Sequence, residues 1–313
     1  MRDAARRALI SEKERELVSV VVPSYGRDTE LHRLVQRILD QNFPAFEVIV
    51  VHEGEYPFTS SDARVRVINS RQPIGLPMAR NVGIDAASGN YIAFIDDDAY
   101  PESLNWLAEL VAPFSESRTI GAVGGRIVTR GYPPSHSAGV GEGVGKVVWN
   151  SLGMYKFTGN FDLELRTDTD HLQGCNFVVA RHALESVRRP YFNPAFAGTS
   201  AREETDFFLR IRRNGFRLVH VENGTVIHEF LPFGGVRKPG PKRAFWWGYS
   251  EAILFRNAFW DGTHTSTFRF LVQEGLFDWD PYQPAKVVGC IMGLRASECP
   301  IKTAKTRRGR IRA

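Results

Sequence analysis

Asp96, Asp97 and Asp98 follow directly on the apolar run Tyr91-Ile92-Ala93-Phe94-Ile95. A run rich in β-branched and aromatic residues that stops at clustered carboxylates delivers negative charge to the carboxyl end of a sheet, where α/β proteins bind ligands. Like charges packed that closely need a counterion. A divalent cation held by oxygen ligands supplies one, and it can in turn neutralise a diphosphate. Without further context the same aspartates also suit a turn that caps the next helix.

The elements that must position these carboxylates follow from periodicity. Val18 to Val22 is a short β-rich run closed by Pro23; Leu31, Leu34, Val35, Ile38 and Leu39 recur behind it at helical spacing, with Asp28 or Thr29 placed to cap that helix. Apolar runs at Phe46 to Val51 and around Val65 to Ile68 continue the strand-helix-strand alternation of a parallel sheet. Pro77 suits a first helical turn, and Gly89 ends the segment that holds Ala79-Arg80-Asn81. After the aspartates, Pro101 is expected to open a helix with Leu104, Leu107, Leu110 and Val111 on one face, followed by a strand from Ile120 to Val128. Gly131 to Gly145 is rich in Gly, Pro, Ser and His without periodicity and reads as a loop. Further on, Phe177 to Ala180 and Phe216 to Val221 read as strands and Glu203 to Arg213 as an amphipathic helix. A second loop, Pro232 to Lys242, precedes a helix from Phe245 to Trp260 whose Phe245, Trp246, Trp247 and Tyr249 suit a core, a sugar-stacking face or a membrane surface.

Composition narrows the class. A chain of 313 residues can bury a substantial core, and no stretch approaches the roughly 18 consecutive apolar residues of a spanning helix. The charged start, Met1 to Ile10, lacks the apolar segment of a secretory signal. Cys175, Cys290 and Cys299 are odd in number and in no metal-ligand pattern, which fits free thiols in a reducing compartment, so a cytoplasmic protein is expected. The net charge of +5 is uneven: Lys302, Lys305, Arg307, Arg308, Arg310 and Arg312 crowd a basic tail. Such a tail is either a solvated end or a contact for polyanions; anionic lipid at the inner face of the membrane is one expectation, and no specific nucleic-acid partner is expected.

The order of motifs resembles family 2 of the inverting glycosyltransferases. Val22-Pro23-Ser24-Tyr25-Gly26-Arg27 is similar to the family's V-P-x-Y/F/H-x-R turn, Gly75 to Gly83 to its G-x-x-x-A-R-N-x-G segment, Asp96 to Asp98 to its Asp-x-Asp motif, and Arg202 to Phe216 to its E-D-x-D-L-x-x-R-x-x-x-x-G helix start. The resemblance implies an α/β GT-A fold, Rossmann-like, with a central mostly parallel sheet flanked by helices and a helical C-terminal extension. It implies an N-terminal extension at 1–16, a glycosyltransferase domain at 17–230 (nucleotide-sugar half 17–128, acceptor half 129–230), a helical region at 231–300 and the tail at 301–313.

The resemblance also assigns roles. Pro23, Ser24, Tyr25 and Arg27 would cradle the nucleotide, Glu53 would take the place of the family's acidic residue that binds base or ribose, Arg80 would reach phosphate, and Asn81 would order the turn beside the aspartates. Asp96 and Asp98, two residues apart where an extended strand end turns, would share the metal side with His228 as third ligand, the metal being Mn2+ or Mg2+, while Asp97 would face the sugar. Gly174-Cys175-Asn176 would line the acceptor side. An acceptor hydroxyl must lose its proton as it attacks the anomeric carbon, so a base is required: Glu204, where the family commonly has Asp, with Glu203 as the fallback and Asp206 orienting the acceptor. Read without the resemblance, these acids equally favour a helix N-terminus.

The expected activity is transfer of one sugar from a nucleotide-diphosphate sugar to a glycan, lipid-linked or small-molecule acceptor, in cell-envelope or other glycan biosynthesis. The Q-x-x-R-W motif and spanning helices of the processive synthases are missing from this sequence. The alternatives are a catalytically inactive carbohydrate- or nucleotide-binding partner and a sugar-phosphate nucleotidyltransferase, although Ser24 to Asp28 lacks the Gly-rich basic signature the latter needs.

Overall fold

The structure, a computed structural model, describes residues 17–131, 143–229, 231, 240–275 and 281–296. The expected extension 1–16, the basic tail 301–313, Cys299 and much of the loops at 131–145 and 232–242 lie outside the described residues.

Val18–Tyr25 (β1) is buried along all but its last residue, as its unbroken apolar run requires of a strand covered on both faces. Asp28–Leu39 (α1) follows and buries Leu31, Leu34, Val35 and Ile38. Neither Asp28 nor Thr29 caps it. The N-cap position is Arg27, and Asp28 and Glu30 instead place acid in the first turn, at the positive end of the helix. Phe46–Glu53 (β2) and Val65–Ser70 (β3) extend the sheet in parallel. Leu76–Ala86 (α2), with Pro77 in its first turn, packs so closely on β1 that a Cβ at Gly83 would strike the Val21 side chain. That approach buries Arg80 and Asn81.

Tyr91–Ile95 (β4) pairs in parallel with the other side of β1, Val21 lying opposite Phe94. The chain therefore reverses its direction of travel across the sheet at β1. Open α/β sheets take ligands at such a switch point, outside the carboxyl ends of the strands. Ala99–Pro101 (β5), Trp106–Val111 (α3), Ile120–Gly124 (β6) and Ile127–Arg130 (β7) come next. They are followed by the hairpin Val147–Trp149 (β8) and Tyr155–Phe157 (β9), then Thr167–Thr169 (β10), Asn176–Ala180 (β11) and Arg181–Glu185 (α4). Glu203–Arg213 (α5), Arg217–His220 (β12) and Val226–Glu229 (β13) complete this part.

The main sheet is eight-stranded in the order β10-β12-β6-β11-β4-β1-β2-β3, and a three-stranded sheet, β5-β13-β7, lies beside it. The main sheet is mixed: β3, β2, β1 and β4 run parallel, whereas β11 is antiparallel to both β4 and β6. Two expectations are corrected. Pro101 ends β5 instead of opening a helix; β5 is an edge strand, where a residue without an N–H is tolerated, and Leu104 is exposed ahead of α3. The run from Ile120 to Val128 is two strands in two sheets, broken at Gly125, which backs onto the Gly224 carbonyl.

Pro241–Ala258 (α6), His264–Gln273 (α7) and Gln283–Arg295 (α8) form the C-terminal part. α6 and α8 cross closely because Gly248, Gly289 and Gly293 face the partner backbone. Phe196 and Leu209 pack with Ile253 and Leu254, so α5 and α6 share a small core. Among the described residues no helix is long and apolar enough to cross a membrane.

Candidate active site

The end of β1 and the aspartates behind β4 meet at the switch point. Ser24 Oγ donates to Asp97 at 2.9 Å, the Tyr25 N–H lies 3.3 Å from the same oxygen, and Arg27 Nη1 donates to Asp97 Oδ1 at 2.7 Å and to Asp98 Oδ2 at 2.8 Å. Asp97, expected to face the sugar, points back into the first turn. Burial pushes its carboxyl up to about 6, against the pull of Arg27. Pro23 is buried inside β1, whereas Tyr25 stands 50 % exposed at its tip. A cleft of about 420 Å3 opens beside it, between residues 26–30 and 54–56. A cleft of about 450 Å3 at the far end of α1 includes none of the candidate catalytic, nucleotide-binding or metal-binding residues.

Asp96, Asp98 and His228 gather with one ligand atom each, all within 4.8 Å of one another. Their sources are far apart in sequence. β13 pairs antiparallel with β5, His228 opposite Ala99, and the Glu229 N–H donates to the Asp98 carbonyl at 2.9 Å, so the small sheet carries the imidazole to the aspartates. His228 Nε2 lies 3.2 Å from Asp98 Oδ1. Two carboxylates and one imidazole are a donor set suited to Mn2+ or Mg2+.

Arg80 is a buried hub rather than a surface phosphate ligand. Its guanidinium donates to Asp96 Oδ1 at 3.0 Å, to the Gly174 carbonyl at 2.9 Å and to Glu203 Oε1, and it is 1 % exposed. Asn81 is also corrected: its amide clasps both backbone groups of Phe192, Nδ2 donating to the carbonyl at 2.7 Å and Oδ1 accepting from the N–H at 2.9 Å. Glu53 accepts from the Ile74 and Gly75 N–H groups at 2.6 and 3.1 Å, which fixes the lead-in to α2. Asn176 does not line an acceptor surface, because Trp106 Nε1 donates to its Oδ1 and its Nδ2 donates to the Arg126 and Gly224 carbonyls.

At the start of α5 the three acids separate. Glu203 is fully buried on Arg80, and burial pushes its carboxyl up while Arg80 pulls it down. Glu204 is half-buried and raised by burial, with Arg80 opposing. Asp206, expected to orient the acceptor, accepts from Arg210 Nε at 2.9 Å and Asn257 Nδ2 at 3.2 Å and ties α5 to α6.

The profile of Glycosyl transferase family 2 matches residues 19–187, more than half of the chain. The chain belongs to glycosyl transferase family 2. It is 27 % identical over 249 residues to the uncharacterized protein y4gI of Sinorhizobium fredii, covering 72 % of this chain and 27 % of that protein. It is 37 % identical over 95 residues to the uncharacterized glycosyltransferase EpsJ of Bacillus subtilis, covering 28 % of this chain and 27 % of EpsJ. The chain thus spans about 27 % of the length of both relatives. Its fold is that of the mannosyltransferase PcManGT from Pyrobaculum calidifontis, solved in complex with GDP-Man and Mn2+, with a TM-score of 0.51 at 17 % identity over 90 % of this chain and 76 % of that one.

The family match ends before α5, so Glu203 and Glu204 are brought to the site by the fold beyond it. Sequence reasoning named Cys175 but missed its interaction with His228, and it missed Phe192, whose carbonyl and N–H have no sequence signal. It also gave no role to Arg202, although an arginine directly before two glutamates is a legible oddity.

Proposed function

We propose that this chain is a metal-dependent, inverting glycosyltransferase that moves one sugar from a nucleotide-diphosphate sugar to an acceptor hydroxyl. The observation that carries the reading is the Asp96-Asp98-His228 cluster, joined through Asp97 to the turn that ends in the exposed Tyr25. Asp96, Asp98 and His228 would hold Mn2+ or Mg2+, which when bound neutralises the leaving diphosphate. The PcManGT complex, which holds Mn2+ and GDP-Man on the same fold, supports this assignment.

The protein's own residues account for the remainder. Tyr25 offers a ring face to the base at the mouth of the cleft, and the Ser24-Arg27-Asp97 network keeps that turn in place. Glu203 stays locked to Arg80, which leaves Glu204 to take the hydroxyl proton as the acceptor attacks the sugar from the face opposite the diphosphate. Burial raises Glu204, and a carboxylate with a raised pKa is a stronger proton acceptor. One carboxylate in that role gives inversion. Residues 17–230 form the transferase domain in this reading, and 231–300 a helical support. The acceptor is a glycan, lipid-linked or small molecule of the cell envelope, met from the cytoplasmic side at the inner face of the membrane. The exposed apolar residues Phe268, Val288 and Met292 ahead of the basic tail support that placement.

The test is release of nucleoside diphosphate from a panel of nucleotide sugars with manganese. Asp98→Asn and Glu204→Gln should each lower turnover by about 10²–10⁴-fold. Turnover indifferent to both sinks the mechanism. The second reading, a nucleotide-sugar-binding partner without catalysis, draws on Glu204 standing where the family commonly has Asp; tight donor binding with no turnover across acceptors would favour it.

A further inference from the structure

α6, which lies beyond the family match, grips α5 along its whole length. Arg202 Nε pairs with Glu251 Oε1 at 2.9 Å ahead of α5, Asn257 holds Asp206, and Arg213 donates to the Asn257 and Ala258 carbonyls at 3.2 and 2.7 Å. The turn between residues 198 and 202 is the unusual part. Gly198, Ser200 and Arg202 have φ of 69°, 53° and 67°, so two residues with side chains sit in the left-handed region within one short turn. Such backbone persists only when its surroundings hold it. Trp246 of α6 covers Gly198 so closely that a Cβ there would overlap its ring, and the Arg202 guanidinium lies 4.3 Å from the Phe157 ring centroid and 5.9 Å from that of Trp247.

Glu251 is 4 % exposed and anchors this arrangement from the far side of the pair. The residues that follow Arg202 directly are Glu203 and Glu204. From this placement we infer that Glu251 is a positioning residue: through Arg202 it fixes the left-handed turn that presents Glu204 to the acceptor. The inference rests on the reading of Glu204 as the base. It predicts a defect in the chemical step with donor binding preserved, because no atom of Glu251 belongs to the Tyr25 cleft or the Asp96-Asp98-His228 cluster.

The experiment compares wild type, Glu251→Gln, Glu251→Asp and Arg202→Lys in two measurements. The first is steady-state turnover with manganese and whichever nucleotide sugar is used, and the second is hydrogen exchange across residues 198–206. Glu251→Gln should lower kcat by about 10–100-fold with donor KM within about twofold, since a displacement of an ångström is enough for such a loss. Exchange at 198–206 should quicken by at least about fivefold while β1 and α1 stay as in wild type. Glu251→Asp should recover part of the rate, and Arg202→Lys should behave like Glu251→Gln because a lysine cannot keep the stacked planar contact. Unchanged kcat and exchange in Glu251→Gln overturn the inference. So does a loss of kcat accompanied by equal weakening of donor binding and uniform exchange, which marks general support. If wild type turns over no nucleotide sugar but Glu251→Gln still loosens 198–206 selectively, the transferase reading fails and the Glu251 relationship stands.

Discussion

Arg80 and Glu203 form a fully buried ion pair that joins α2 to the first residue of α5, 123 positions away in the chain. Removing Arg80 strands the Glu203 carboxylate in the interior, whereas Arg80 without Glu203 keeps Asp96. Arg80→Met should therefore cost about 3–5 kcal/mol and Glu203→Met less, each read as a fall in urea midpoint at constant slope. The double variant Arg80→Met/Glu203→Met should lose less than the sum, because no unpaired charge remains on the Glu203 side. Additive losses would mean the pair is not coupled.

The metal cluster predicts a graded response to its ligands. Asp96→Asn, Asp98→Asn and His228→Gln should each weaken Mn2+ binding by at least about tenfold, followed by the electron paramagnetic resonance signal of free Mn2+. Wild type treated with chelator should lose transfer and regain it on adding Mn2+. Asp97→Asn should leave Mn2+ affinity much closer to wild type, since the Asp97 carboxylate faces Ser24 and Arg27.

Tyr25 is predicted to act on binding alone. Loss of its ring in Tyr25→Ala should weaken donor binding by about 1–3 kcal/mol, the usual worth of stacking a base on an aromatic face. Donor KM should rise and kcat should hold. A fall in kcat at unchanged KM would place Tyr25 in the chemical step instead.

His171 makes stability sensitive to acid. Burial, aided by the charge of Arg202, lowers its pKa from 6.5 to about 3. The native ring is neutral, so below pH 6.5 the unfolded chain binds the extra proton. The contribution is full above pH 6.5 and is lost as pH falls toward 3. Urea midpoints should decline over that window, and His171→Gln should flatten the slope by about 1.4 kcal/mol per pH unit. An unchanged slope would mean that His171 already carries a proton in the folded state.

What the sequence made legible was local. The β1 turn, the Asp96-Asp97-Asp98 end of β4 and the bounds of α5 are written in periodicity and punctuation. The roles of Asp97, Asn81, Arg80, Asn176 and Asp206 were not, because each is decided by a partner about fifty or more positions away: Arg27, Phe192, Glu203, Trp106 and Asn257. A side chain's type announces that it needs a partner; only the packed sheet says which one. Pro101 misled for the same reason, since its place on an edge strand depends on pairing with Val226.

The small core shared by Phe196, Leu209, Ile253 and Leu254, all at most 3 % exposed, has a consequence for any attempt to recombine this chain with a relative. A graft that ends at Glu229 leaves Phe196 and Leu209 facing water and takes away the helix that holds Arg202 and Asp206. Each bared side chain forfeits about 1.5–3 kcal/mol of burial. The natural cassette for exchange therefore runs through Ala258, and chimeras spliced earlier should come out insoluble before any question of sugar specificity arises.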